Sequence, residues 1–198
     1  MPVKEINFVT SNALKLKEVR AILGNNSFCN FKLLHYSLEL PELQASPTEI
    51  AINKCMTAAN VVQGPALIDD TMLTFNSLNG LPGPYIKAFI AQIGLEGLVR
   101  ILTDFQDKSA QVSCTFGYTE GPNHKVHLFT GTINGKIVAP SPYLDTSQSS
   151  WGSIFQPDGY HINYAMMDQD EKNKISHRYK ALMLLKEYFM KQANERLD

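Results

Sequence analysis

The chain predicts an α/β fold built on a mixed sheet, and three observations carry that prediction. Strand-like apolar runs alternate with helical spacings through the first half in the order strand, helix, strand, helix, strand, which requires crossover connections and parallel strands. Residues 112–118 and 126–133 then read as further strands. Asn134-Gly135 ahead of Lys136-Ile137-Val138 is the strongest hairpin signal in the chain and adds antiparallel pairing. The 198 residues can bury a large apolar core without staples, so 1–198 is expected to be one domain, of one or two lobes.

The first run, Ile6-Asn7-Phe8-Val9-Thr10, suits a buried strand and stops at Thr10-Ser11-Asn12, a cluster of helix-capping types. Leu16, Val19, Ile22 and Leu23 repeat at helical spacing and leave Lys15 and Lys17 on other faces. A strand, a polar turn and a helix start with a lysine in its first turn can bind phosphate through free N–H groups, the dipole and the cation. Plain N-capping explains the same residues, and Ser11 stands where tight phosphate loops carry glycine.

Residues 31–38 read as a second strand. Pro41 favours its end and leaves Glu42 in a loop. Ser46-Pro47-Thr48-Glu49 combines a capping serine, proline at the first helical position and the reciprocal glutamate of a capping box. The helix it opens is expected to bury Ile52, Cys55, Met56, Ala59 and Val62, turning Lys54 to an exposed flank or a cleft. After Gly64-Pro65 comes Ala66-Leu67-Ile68-Asp69-Asp70-Thr71, an apolar strand whose end delivers two carboxylates and a hydroxyl. Adjacent carboxylates repel, so such a pair is either a solvated turn or a site beside a cation.

Leu78-Asn79-Gly80-Leu81-Pro82-Gly83-Pro84-Tyr85 is a stiff, shaped turn. Lys87 follows it on a helix through Ile86, Phe89, Ile90 and Ile93, and Gly94 separates a second short helix, Leu95 to Leu102. Residues 139–153 form a long Pro, Ser and Thr-rich loop, and Phe155-Gln156-Pro157-Asp158-Gly159-Tyr160 is another rigid turn. The last helix begins near Ser176 and buries Tyr179, Leu182, Leu185 and Phe189, which puts His177 and Arg178 in its first turn. Cations there oppose the helix dipole unless an acid or an electron-rich ligand lies beside them.

A formal net charge of -1 and a pI near 6.5 leave no global basic field to recruit nucleic acid or anionic lipid. Three cysteines, Cys29, Cys55 and Cys114, are too far apart for a compact metal motif and read as reduced thiols of a cytosolic protein. The N-terminus lacks the apolar core of a signal peptide, and the longest apolar run, Ala181 to Leu185, is too short to span a bilayer. A soluble, cytoplasmic protein is expected.

Thr10-Ser11-Asn12-x-x-Lys15-x-x-Glu18, Leu40-Pro41-Glu42, Asp69-Asp70-Thr71, the segment from Gly80 to Lys87, the Phe155 to Tyr160 turn and Glu171-Lys172-Asn173-x-x-Ser176-His177-Arg178 form an ordered set over nearly the whole chain. Together they closely resemble the inosine triphosphate pyrophosphatase family in its eukaryotic form. The resemblance implies a homodimeric α/β protein with a long curved mixed sheet, flanked by helices, and two lobes around a nucleotide cleft. Its members hydrolyse noncanonical purine triphosphates such as ITP, dITP and XTP to the monophosphate and pyrophosphate with Mg²⁺, for which Mn²⁺ is a possible substitute.

By the same resemblance, Glu42 and Asp70 are the metal ligands, Asp70 is the base toward the attacking water, and Asp69 backs metal or water from behind. Thr10, Asn12 and Lys15 grip the triphosphate, and Lys54, Thr71 and Lys87 add nucleotide contacts. Base selection falls to Lys172, His177 and Arg178, whose donors suit the O6 and N7 acceptors of a 6-oxo purine and clash with the amino group of adenine. Where the family usually reads Phe-Gly-Trp-Asp-Pro, this chain has Ser149-Ser150-Trp151-Gly152-Ser153. The stacking aromatic and the aspartate expected at the base edge are absent, and Trp151 remains for stacking or packing. A catalytically silent nucleotide-binding homologue is the alternative that this departure raises.

Overall fold

The computed structural model describes residues 3–24, 27–28, 31–140 and 150–194. Cys29, Ser149 and most of the expected 139–153 loop lie outside them. Strand β1 (Lys4–Val9) runs parallel to β3 (Phe31–Tyr36) along its whole length, from Lys4 opposite Phe31 to Val9 opposite Tyr36. On its other side it meets β4 (Ala66–Phe75) in parallel only at Asn7 opposite Ala66 and Phe8 opposite Leu67. The crossovers are α1 (Ala13–Leu23) and α2 (Pro47–Val62), so the anticipated strand-helix alternation is present. The short β2 (Ser27–Phe28) pairs antiparallel with β3.

The rest of the chain supplies β5 (Pro82–Gly83), α3 (Ile86–Ile101), β6 (Ser109–Thr119), β7 (His127–Ile137), β8 (Phe155–Pro157), α4 (Gln169–Ile175) and α5 (His177–Asn194). Strand order is β2-β3-β1-β4-β6-β7-β8, with β5 paired to β4. The chain divides into two compact units, one of Met1–Asp70, Cys114–Gly131 and His177–Asp198, the other of Thr71–Ser113 and Thr132–Ser176.

In the first unit, Ile6, Phe8, Leu33, Leu67, Cys114 and Phe116 face Val19 of α1 and Ala181, Leu182, Leu185 and Phe189 of α5. Val9, Ala66 and Ile68 face the opposite way, toward Ala51, Cys55, Ala58 and Ala59 of α2. The capping box at Ser46 forms as expected, with the Glu49 carboxylate accepting from the Ser46 backbone N–H. The buried stripe of α2 is turned from the expected one. Met56 is exposed and Lys54 is only 6% exposed, because the small side chains of Ala51, Cys55, Ala58 and Ala59 let the helix lie close on the sheet.

In the second unit, Leu73, Phe75, Ile86, Leu98, Ile154, Phe155 and Tyr164 form the core. The helix α3 is broken at Gly94, whose φ of +66° marks the anticipated separation of two short helices. The expected hairpin at Asn134-Gly135 does not exist: β7 runs straight through both residues. Gly135 instead admits a neighbouring strand, since a Cβ there would lie 2.3 Å from the Gln156 carbonyl oxygen and 2.7 Å from the Phe155 ring, and β8 pairs antiparallel at this point. The chain reverses earlier, around Gly121 and Asn123, both at positive φ.

Gly131 does a similar job for α5. A Cβ at this position would lie 2.2 Å from the His177 carbonyl oxygen and 2.3 Å from the Ala181 backbone nitrogen, so α5 begins in direct backbone contact with β7. Gly131→Ala is expected to lower stability by about 1–3 kcal/mol or more through overpacking, read from the midpoint of urea denaturation.

Candidate active site

Asp69 and Asp70 lie in the middle of β4, which continues to Phe75, and not at a strand end as the sequence suggested. The change matters, because successive side chains of a strand point to opposite faces. Leu67 and Asp69 share the α1 and α5 face, while Ala66, Ile68 and Asp70 share the α2 face. Adjacent in sequence, the two carboxylates are thus divided by the sheet, and each has its own cations. Their position beyond the last β1 partner of β4 is also where β1 gives way to the start of α1.

On one face, the Asp69 side chain is 0% exposed. Lys15 Nζ lies 2.7 Å from its Oδ1 and donates to its backbone carbonyl at 2.8 Å. Arg178 Nε donates to Oδ2 at 2.7 Å, and Arg178 Nη1 pairs with Glu18. Burial and then the charge of the same carboxylate push the thiol of Cys114 well above its usual range. Burial alone pushes the Asp69 carboxyl upward, but Arg178 and then Lys15 outweigh it and hold the group well below the usual carboxylate range. The first-turn cation of α5 therefore has its counter-charges, from Asp69 and Glu18.

On the other face, Lys54 Nζ lies 2.5 Å from Asp70 Oδ1 and 2.7 Å from Glu42 Oε2. Burial disfavours the ammonium, yet Asp70 and then Glu42 raise its pKa above the ordinary lysine value. Lys54 thus gathers the loop acid and the strand acid at one point.

Hydrogen-bonding capacity is left over at both lysines. An ammonium has three N–H donors, and among the described residues Lys15 and Lys54 each have two acceptors. Asp70 Oδ2 and Glu42 Oε1 likewise have no protein partner among the described residues. These hard oxygens fit a small divalent cation that completes its shell with water and phosphate oxygens. The described residues contain no group of three or more His, Cys, Asp or Glu side chains able to hold a metal by themselves.

At the start of α1, Asn12 is an N-cap: its Oδ1 accepts from Leu14 N at 2.9 Å and Lys15 N at 3.2 Å. The Asn12 backbone N–H in turn donates to Thr10 Oγ1 at 3.1 Å. Those three N–H groups are therefore engaged within the chain. His177 is 1% exposed.

Thr71, Lys87, Trp151 and Lys172 belong to the second unit. Lys87 is exposed in the first turn of α3. The Trp151 ring centroid lies 6.2 Å from that of Phe155 and 6.0 Å from that of Tyr164, and Lys172 Nζ lies 5.6 Å from the Tyr164 centroid.

Two residues of the first unit, Glu18 of the ordered set and Cys114, have no role assigned from the sequence. Glu18 lies one turn beyond Lys15 on α1, a spacing that does flag a shared face. Cys114 gives no local signal, since only the sheet brings it to Asp69.

The model of the Ham1 family matches residues 6–188. The chain belongs to the Ham1 family. It is 42% identical over 192 residues to an inosine triphosphate pyrophosphatase of Schizosaccharomyces pombe, covering 97% of this chain and 98% of the relative. A protein of the same description from Scheffersomyces stipitis is 47% identical, with 94% and 98% covered. Among solved structures, a HAM1 protein from Coxiella burnetii superposes with a TM-score of 0.81 at 25% identity, covering 95% of this chain and 99% of that one.

In this Ham1 chain the buried Asp69 cluster should dominate the acid limb of stability. Breaking a buried pair from one side costs about 3–5 kcal/mol, so Asp69→Asn should lower stability at pH 7 by an amount of that order. The folded-state pKa of Asp69 is depressed, so its contribution is present above the unfolded value and lost as pH falls. The gap between wild type and variant should therefore narrow by about 1.4 kcal/mol per pH unit below about pH 4, measured by urea melts.

Proposed function

We propose that this chain hydrolyses noncanonical purine nucleoside triphosphates, ITP, dITP and XTP, to the monophosphate and pyrophosphate, and so cleanses the nucleotide pool. The observation that carries the reading is the pairing of Lys15 and Lys54, each with an N–H to spare, with the acids Glu42 and Asp70, each with an oxygen to spare, in one unit. Triphosphate chemistry needs both kinds of group: donors for the phosphate oxygens and hard oxygens for a cation. Full-length likeness to proteins described as inosine triphosphate pyrophosphatases supports the same assignment.

In this reading Lys15 and Lys54 bind phosphate oxygens with their remaining donors and draw charge away from the α-phosphorus. Thr10 and Asn12 shape the chain around Lys15, and Thr71 and Lys87 add contacts to the nucleotide. Asp70 accepts the proton of the water that attacks the α-phosphorus, with pyrophosphate leaving. Glu42 and Asp70 would hold Mg²⁺, or Mn²⁺ as its substitute, which would supply charge neutralisation on the phosphates. Lys172, His177 and Arg178 select the base.

The loss of the family's usual aromatic and aspartate around Trp151 supports a second reading, a homologue that binds the nucleotide without turning it over. The protein is proposed to act in the cytoplasm as a homodimer. Among the described residues no helix is long and apolar enough to cross a membrane.

A product-resolved screen of ITP, XTP, dITP, GTP and ATP with Mg²⁺ tests the proposal. Pyrophosphate and no orthophosphate should appear from ITP or XTP, and Asp70→Asn should lower turnover by about a hundredfold or more. Orthophosphate as first product, or no turnover with either Mg²⁺ or Mn²⁺, overturns it. Tight ITP binding without turnover favours the second reading.

A further inference from the structure

The geometry points to Asp69 as a positioning residue, a buried counter-ion that sets Lys15 and Arg178 together and so fixes the phosphate-side and base-side donors of the site relative to each other. This inference rests on the proposed function for what those two donors contact, but not for the contact itself.

The sequence resemblance put Asp69 behind the metal or the water. The strand pleat sends it the other way, to the face opposite Asp70, Glu42 and Lys54. Both of its side-chain oxygens meet cations, Lys15 at Oδ1 and Arg178 at Oδ2, each at 2.7 Å. The two cations come from helices distant in sequence: Lys15 from the first turn of α1 and Arg178 from the first turn of α5.

The arrangement is directional as well as electrostatic. Arg178 engages through Nε, and Glu18 holds Nη1, so two carboxylates fix the plane of the guanidinium. Lys15 is held at two points of the same residue, Oδ1 and the backbone carbonyl, which leaves its third N–H with one direction to take. The Lys15 side chain is 20% exposed while Asp69 is 0% exposed, so the lysine can meet a ligand that the aspartate does not touch. Asp69 thus acts through its partners.

Two measurements on the whole chain test this. The first is a ¹H–¹⁵N spectrum of the wild-type arginine side chains, with the Arg178 Nε signal assigned by Arg178→Lys. A buried ion pair should give a Nε proton exchanging with solvent at least about tenfold more slowly than those of the exposed Arg20 and Arg100 side chains. A rate equal to theirs overturns the inference without any reference to activity.

The second is calorimetry of ITP and ATP in EDTA, with thermal unfolding recorded alongside. Asp69→Asn should bind ITP about tenfold or more weakly and prefer ITP over ATP by a smaller ratio, and Asp69→Glu should recover part of both. Lys15→Met, as a comparison, should weaken ITP and ATP alike and leave their ratio unchanged. Folded Asp69→Asn with wild-type affinity and ratio overturns the positioning role. If wild type itself binds neither nucleotide in EDTA, the exchange rate of Arg178 Nε still decides whether Asp69 holds it, and the product screen with Mg²⁺ separately decides the proposed function.

Discussion

The pleat of one strand is the constraint on which this site depends. Two carboxylates next to each other in sequence would repel if they shared an environment, and each would raise the pKa of the other. In β4 they share none: Asp69 enters the α1 and α5 face and Asp70 enters the α2 face. A single residue step along the backbone therefore yields two acids in separate electrostatic surroundings, one enclosed by cations and one with an oxygen left over.

Neither face is inexpensive to build. A buried ion pair rarely adds net stability, because desolvation of both charges offsets their attraction. Asp69 with Arg178, Lys15 and Glu18 is better understood as defining where donors point than as a source of folding energy. The packing follows that demand. Gly131 lets α5 start in backbone contact with β7, and the small residues of α2 bring Lys54 down onto the sheet. Each is a place where a larger side chain would move a cation away from its acid.

How much of this the sequence makes visible depends on the range of the interaction. The alternation of strands and helices, the capping box at Ser46 and the break at Gly94 are local, and all are present as read. The hairpin signal at Asn134-Gly135 misleads because glycine serves two purposes: a turn needs its backbone freedom, whereas here β8 needs its missing side chain. The carboxylate pair was identifiable as a centre of interest, and Lys15, Glu42, Lys54 and Arg178 as its company. The division of labour was not, because reading 66–71 as a strand end conceals the pleat. Cys114 and the packing of α5 on Gly131 are tertiary facts with no local trace.

These two adjacent acids do different work, and Mn²⁺ binding to the protein without nucleotide tests this most directly. Electron paramagnetic resonance titrations of wild type, Asp69→Asn and Asp70→Asn should show affinity falling by about tenfold or more in Asp70→Asn, as expected for loss of a hard oxygen ligand. Affinity in Asp69→Asn should stay within about threefold of wild type, the residual effect being the long-range loss of one charge. Equal losses in both variants would contradict the account, since they would place Asp69 with the metal and not with Lys15 and Arg178.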